Sequence, residues 1–364
     1  MKKFQSLIRI CIQFSAALLG VGLLAYLIFR TGPALVWNQV RTVGWGLALV
    51  IILGGFSQLT KTLAWRQTFT CDISKLSWPR SFGVQLVSDA AGQLGFAGKL
   101  LGEGLRVTLL GPAVPLTNGI SAAAIDGGVH TLTAAVVTVL GIATTLVLAP
   151  VSGKWRLDAL LLAGVLIVVV ILAAVGVASR FPLVGNAVRM IGRWSRVQNF
   201  IGSKQPIIDS AEHNLLTFHS QAPAAFWASV TLNFLGHSLA ILEVYVILRF
   251  MGAKIAVISA FVLEALTKVI NLVGVFNPGN IGTYEGGTML ITKLLGVAGT
   301  TGLTLALCRR ARAIFWAGAG AVCMILMRRP SSQDKIEVSG NFDVVSVDTS
   351  KSDDVTTIQV GQRP

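Results

Sequence analysis

One feature limits the chain more than any other. Apolar runs close to the ~20 residues needed to cross a bilayer recur along it, and charges gather at their ends. The runs cover 10–29, 43–65, 119–148, 157–177, 224–248 and 255–276. A last block, 288–327, contains Cys308-Arg309-Arg310-Ala311-Arg312 and reads either as one span plus a half-helix or as two short spans. Composition agrees: 53% of the 364 residues are hydrophobic and 13% are charged, against about 25% charged in a water-soluble domain. The expected fold class is all-α, a polytopic transmembrane helix bundle with about seven or eight spans.

The net charge is +14, but its distribution matters more than its sum. Residues 1–329 hold 27 Lys/Arg and 10 Asp/Glu, whereas residues 330–364 hold three basic and six acidic side chains. Basic residues at the ends of apolar runs are the topology signal of membrane proteins, not the footprint of nucleic-acid binding. Arg180, Arg189, Arg193, Arg196 and Lys204 place the loop 179–224 in the cytoplasm, and Lys2, Lys3, Arg9, Arg66, Lys75 and Arg80 place the N-terminus there too. The expected location is a bacterial inner membrane. The N-terminal run lacks a clear small-x-small cleavage site and reads as an uncleaved span. Residues 206–221 read as an amphipathic helix on the membrane surface. The domain division is 1–329 for the bundle and 330–364 for a disordered polar tail.

Two glycine-rich stretches, 82–111 and 274–296, fit neither spans nor loops. Interior glycines cost a helix roughly 1 kcal/mol each relative to Ala, and broken backbone at membrane depth survives only beside protein or a water-filled cavity. Both stretches read as broken, re-entrant segments. Gly98-Lys99-Leu100-Leu101-Gly102-Glu103 echoes Gly279-Asn280-Ile281-Gly282-Thr283-Tyr284-Glu285. Such correspondence between two halves allows an inverted repeat with a binding site where the breaks meet.

Charges within apolar segments are costly and need a reason. Asp126 and His130 are four residues apart, as are Glu264 and Lys268, and Asn233 and His237, so each pair shares a helix face. The substrate-binding candidates are Lys99, Glu103, Arg106 and Asp126 around the first break, with Asn277, Gly279, Asn280, Gly282, Tyr284 and Glu285 at the second. Arg309 and Arg312 of the basic cluster complete the set. Glycines admit close approach to backbone, and arginine forks match phosphate oxygens. The alternative is that Glu103 and Glu285 pair with arginines only to hold the broken segments. No Gly-x-Ser-x-Gly elbow, P-loop or ATP-coupling module is present, and Cys11, Cys71, Cys308 and Cys323 lack metal-site spacing. No catalytic residue, metal or cofactor is expected.

The elements Gly102-Glu103-Gly104-Leu105-Arg106 followed by Gly-Pro, and Asn277-Pro278-Gly279-Asn280-Ile281-Gly282-Thr283-Tyr284-Glu285 later on, carry a family resemblance. The chain resembles the flippase-like membrane domain of lysylphosphatidylglycerol synthases and its stand-alone relatives, some of them associated with hopanoid biosynthesis. The resemblance implies a lipid-translocase fold with two re-entrant helices and a headgroup cavity. By position, Glu103, Arg106, Pro278, Gly279, Gly282 and Glu285 match its pattern. Ile125-Asp126 and His130 depart from it, and no cytoplasmic aminoacyl-transferase domain follows. The resulting expectation is a lipid transporter whose partner is a membrane lipid or polyisoprenoid-type amphiphile with a polar or anionic headgroup. Lipid-biosynthesis enzymes are compatible partners. The rival readings are a non-transporting scaffold for such an enzyme and an integral membrane headgroup enzyme.

Overall fold

In a computed structural model, residues 41, 43–93, 96–148, 153–179, 205–253, 255–273, 280 and 283–327 are described. The expected first span at 10–29, the basic loop residues 180–204 and the tail 330–364 lie outside them. Among the described residues there are ten α-helices and no strand. They are α1 (Gly46–Gln67), α2 (Trp78–Gly92), α3 (Phe96–Thr108), α4 (Leu116–Leu148) and α5 (Lys154–Ser179), then α6 (Gln205–Gln221), α7 (Pro223–Phe250), α8 (Val257–Val273), α9 (Thr283–Leu294) and α10 (Gly299–Met327). Four of them, α1, α4, α7 and α10, are long and apolar enough to cross a membrane. Helix α5, of 26 residues, bares Leu160, Leu161, Val168, Ile171 and Leu172, as a lipid-facing helix does.

Helices α2, α3, α8 and α9 have 15, 13, 17 and 12 residues. At 1.5 Å per residue they reach roughly 18–26 Å, short of a ~30 Å hydrocarbon core. The segment 255–276, expected as a full span, is therefore the short helix α8. The block 288–327 resolves into the half-helix α9 and the single long helix α10. Prolines mark two starts. Pro79 opens α2, and Pro223 opens α7 two residues after α6 ends, because the ring supplies a helical φ and forbids a continuing N–H bond.

The order long helix, short pair, long helix occurs twice, as α1–α4 and as α7–α10. Helix α1 runs antiparallel to α7: Gly46 faces Phe250 at one end and Gly236 faces Thr60 toward the other. The two halves therefore have opposite senses. Their cross-contacts correspond as well. Helix α2 packs on α10 through Gly83 against Met327 and Gly320 against Leu86, while α8 packs on α4 through Ala265 against Gly141. One apolar core joins α1, α7, α8, α9 and α10 around Val50, Val244, Ile247, Leu263, Ile291 and Leu305. A second, around Trp65, Leu76, Val84, Leu110 and Ala122, lies between the elements of the first half.

The glycine argument for 82–111 needs correction. Gly98, Gly102 and Gly104 all lie inside helix α3 rather than at a break. At Gly102 a side chain would run into the main-chain carbonyl of Ser88, so this glycine sets how closely α3 approaches α2. That contact outweighs the intrinsic helix cost. Gly102→Val is expected to lower stability by about 1–3 kcal/mol through overpacking. Gly104→Val, which faces open space, serves as the control. Equal melting temperatures for the two variants in detergent would show that the close approach is unimportant. The 98–103 and 279–285 echo is not structural either: Glu103 sits deep in α3, whereas Glu285 lies in the first turn of α9.

Helix α6 turns Leu216 and Phe218 inward rather than to a membrane surface. Leu215 and Phe218 pack with Ile125, Val129 and Phe226 of α4 and α7, and Asn214 donates to the Ser121 hydroxyl at 3.0 Å.

Candidate functional site

Between the two halves lies a cavity in two adjoining compartments, each lined mostly by polar and charged residues. The larger, about 460 Å³, is lined by α1, α7, α8 and α10 with Asn280 and Tyr284. The smaller, about 320 Å³, is lined by α1, α2, α3, α4 and Asn233 of α7. Lys61, Gln93, His130 and Asn233 border both.

In the smaller compartment Arg106 is 3% exposed. Its guanidinium lies 4.2 Å from the centre of the Trp65 ring, a cation–π contact. Nη1 donates to Asp126 Oδ2 at 2.7 Å and lies 3.5 Å from Glu103 Oε2. The Nε and Nη2 groups of Arg106 are buried with no hydrogen-bond partner among the described atoms. Across the compartment Asp89 of α2 takes Lys61 Nζ at 3.0 Å and Gln58 Nε2 at 2.6 Å.

In the larger compartment Arg309 is the hub. Its Nη2 donates to Glu264 Oε2 at 2.6 Å and to the Ala240 carbonyl at 3.2 Å, and its Nη1 donates to the Tyr284 hydroxyl at 2.9 Å. Glu243 lies 3.5 Å from Arg309 Nε and receives Arg312 Nη1 at 3.1 Å. The Arg312 stem reaches its place because Gly54 and Gly55 of α1 leave room for α10. Arg310 donates from Nε to Glu285 and from Nη2 to the Asn280 carbonyl at 3.4 Å. Asn280 has φ +51°, a left-handed conformation that asparagine tolerates better than most residues. Its amide donates to Asn271 Oδ1 at 2.7 Å, tying the turn to the end of α8.

The histidine roles follow from their partners. Lys268 Nζ, bonded to Glu264 at 3.0 Å, has only donors to offer and lies 3.3 Å from His237 Nδ1. His237 is therefore protonated on Nε2, which meets the Thr133 hydroxyl at 3.3 Å. Asn233 donates its amide to the Ser229 carbonyl at 2.9 Å, which turns its oxygen to His130 Nδ1 at 3.0 Å. His130 thus donates from Nδ1, leaving Nε2 as its acceptor nitrogen.

The candidates separate accordingly. Glu103, Arg106 and Asp126 line the smaller compartment, and Asn280, Tyr284, Arg309 and Arg312 line the larger. Glu285 lines neither and reaches the cavity through Arg310. Lys99 lies on α3, its side chain not among those described. Asn277, Gly279 and Gly282 fall outside the described residues. Sequence reasoning names Arg310 in the basic cluster without counting it among the binding candidates, and passes over Lys61, Asp89 and Gln93, although Lys61 and Asp89 are charges within apolar helices, a signal that could have flagged them. Among the described residues no group of three or more His, Cys, Asp or Glu is placed to hold a metal.

Six paired charges of each sign around a shared hollow can cradle a charged group at depth, since each pair can lend a partner to a ligand. No curated protein and no solved structure matches the chain. The family described as lysylphosphatidylglycerol synthase TM region matches residues 13–320. With that match over most of its length and helices that can cross a bilayer, the chain belongs to the lysylphosphatidylglycerol synthase transmembrane-region family and is an integral, multi-pass membrane protein.

Proposed function

We propose that this protein is a carrier of membrane lipid rather than an enzyme, taking the polar headgroup of an amphiphile into the two-compartment cavity and passing it between leaflets. It works in a bacterial inner membrane with its N-terminus in the cytoplasm. The observation that carries the reading is the cavity, a charge-lined hollow between two halves of opposite sense, where transporter sites lie. Most residues of its described lining are charged or polar and Leu232 is the one large aliphatic side chain among them, so acyl chains would stay in lipid while the headgroup enters. The antiparallel α1 and α7 put Arg66 and Pro223 at one end of the bundle, in keeping with the charge-based topology.

The test is lipid movement in vesicles that contain only this protein, read by the loss of a fluorescent lipid's signal to an impermeant quencher. Wild type should expose inner-leaflet lipid well above empty vesicles. Arg310→Gln should slow movement by on the order of tenfold, the worth of one charge-assisted contact. The dense pairing of Glu243, Glu264, Arg309 and Arg312 favours a second reading, a scaffold whose charges only hold helices together. Wild-type vesicles no faster than empty ones would decide for the scaffold.

A further inference from the structure

The two compartments carry opposite surplus charge. Around the larger stand Lys268, Arg309, Arg310 and Arg312 against Glu243, Glu264 and Glu285, four cations to three carboxylates. Around the smaller, Arg106 stands against Glu103 and Asp126, one cation to two carboxylates. Lys61 and Asp89 pair at 3.0 Å and cancel. Among the described residues, the two compartments share the polar groups His130, Asn233 and Gln93 along with Lys61. Among the described side chains the cavity is a dipole, positive toward α10 and negative toward α3 and α4.

We infer that the occupant completes this dipole: a headgroup carrying one phosphate and one ammonium, of the phosphoethanolamine type. The inference rests on the reading of the cavity as a headgroup site and narrows it. Inside a protein-walled cavity a surplus charge is poorly solvated, so a ligand of opposite sign placed against it gains more than in water. Both ends have a group able to move toward such a ligand. Glu103 is held loosely, 3.5 Å from Arg106 with its side chain 41% exposed. It can turn to an ammonium while Asp126 keeps Arg106 paired at 2.7 Å. At the other end Arg312 is the most exposed of the three arginines, 25% against 11% for Arg309 and 12% for Arg310. Its planar fork offers parallel N–H groups to phosphate oxygens. A purely anionic headgroup leaves the carboxylate end unmatched. A headgroup with two amines, such as a lysyl ester, brings two ammoniums to a single surplus carboxylate.

The experiment is calorimetric titration of the full chain in maltoside micelles with three soluble phosphodiesters: glycerophosphoethanolamine, glycerophosphoglycerol and the lysyl ester of the latter. Glycerophosphoethanolamine should bind about tenfold more tightly than glycerophosphoglycerol, as one added charge-assisted contact implies. Asp126→Asn and Glu103→Gln should each bring the two affinities together. Arg312→Gln should weaken both. If Asp126→Asn fails to fold for want of the Arg106 pair, the half-exposed Glu103→Gln still decides. Equal wild-type affinities, a preference that survives Glu103→Gln, or tightest binding by the lysyl ester would overturn the assignment. A clear ethanolamine preference without lipid movement in vesicles would remove the transport reading and leave the headgroup assignment standing.

Discussion

Arg309→Met is expected to destabilise the protein more than any other single change in the cavity wall. Among the described residues, Arg309 is the one cation that contacts both Glu264 and Glu243, which are 5% and 2% exposed. Removing it leaves Glu264 to Lys268 and Glu243 to Arg312 in a poorly solvated interior, and leaves the Ala240 carbonyl and Tyr284 hydroxyl without its N–H groups. Breaking a buried ion pair from one side costs about 3–5 kcal/mol when the remaining charge has no other partner; here Lys268 and Arg312 keep part of the attraction, so the loss falls toward the lower end of that range. The readout is thermal unfolding in detergent together with accumulation in the membrane. Arg309→Met combined with Glu264→Gln should recover part of the loss, since the local surplus of negative charge that Arg309 balanced is then reduced by one. An unchanged melting temperature for the single variant would show that Lys268 and Arg312 suffice for the two carboxylates, and the hub assignment would fail.

The second large effect belongs to Arg106→Lys, where the expected outcome is loss of lipid movement with the protein still inserted and accumulated. Lysine keeps the positive charge near Asp126, so the bundle retains its ion pair. It cannot lie flat on Trp65 at 4.2 Å or face Asp126 and Glu103 through one guanidinium. The ammonium would settle on one carboxylate and pull it out of position. Movement should fall by on the order of tenfold, from one charge-assisted bond misplaced. Normal movement at normal abundance would reduce Arg106 to a structural role. Glu285→Gln, which was expected to act as a cavity group, should instead act through Arg310 and resemble Arg310→Gln.

The limits of the sequence reading show in particular residues. Runs at 43–65, 119–148, 157–177 and 224–248 coincide within a few residues with α1, α4, α5 and α7. Glu264 and Lys268, four apart, are indeed an ion pair at 3.0 Å. Both kinds of statement concern neighbours along one helix. The echo between 98–103 and 279–285 misled because Gly and Leu repeats record composition but not register. Glu103 therefore entered a helix interior and Glu285 a helix start. Nothing in the chain order links Lys61 with Asp89, Arg106 with Asp126, or Arg309 with Glu243 and Glu264.

By itself the sequence determined that this is a membrane-spanning helical protein, where its long helices lie, and that charged groups inside it require partners. Those properties follow from transfer of side chains out of water, which adds up residue by residue along the chain. Only the tertiary structure decided which charges meet, that the cavity has two compartments, and that its ends differ in sign. Pairing depends on the rotation and axial offset of one helix against another. Those are set by close contacts such as Gly102 on Ser88 and Gly320 on Leu86, and a shift of a few ångströms there would exchange one ionic partner for the next.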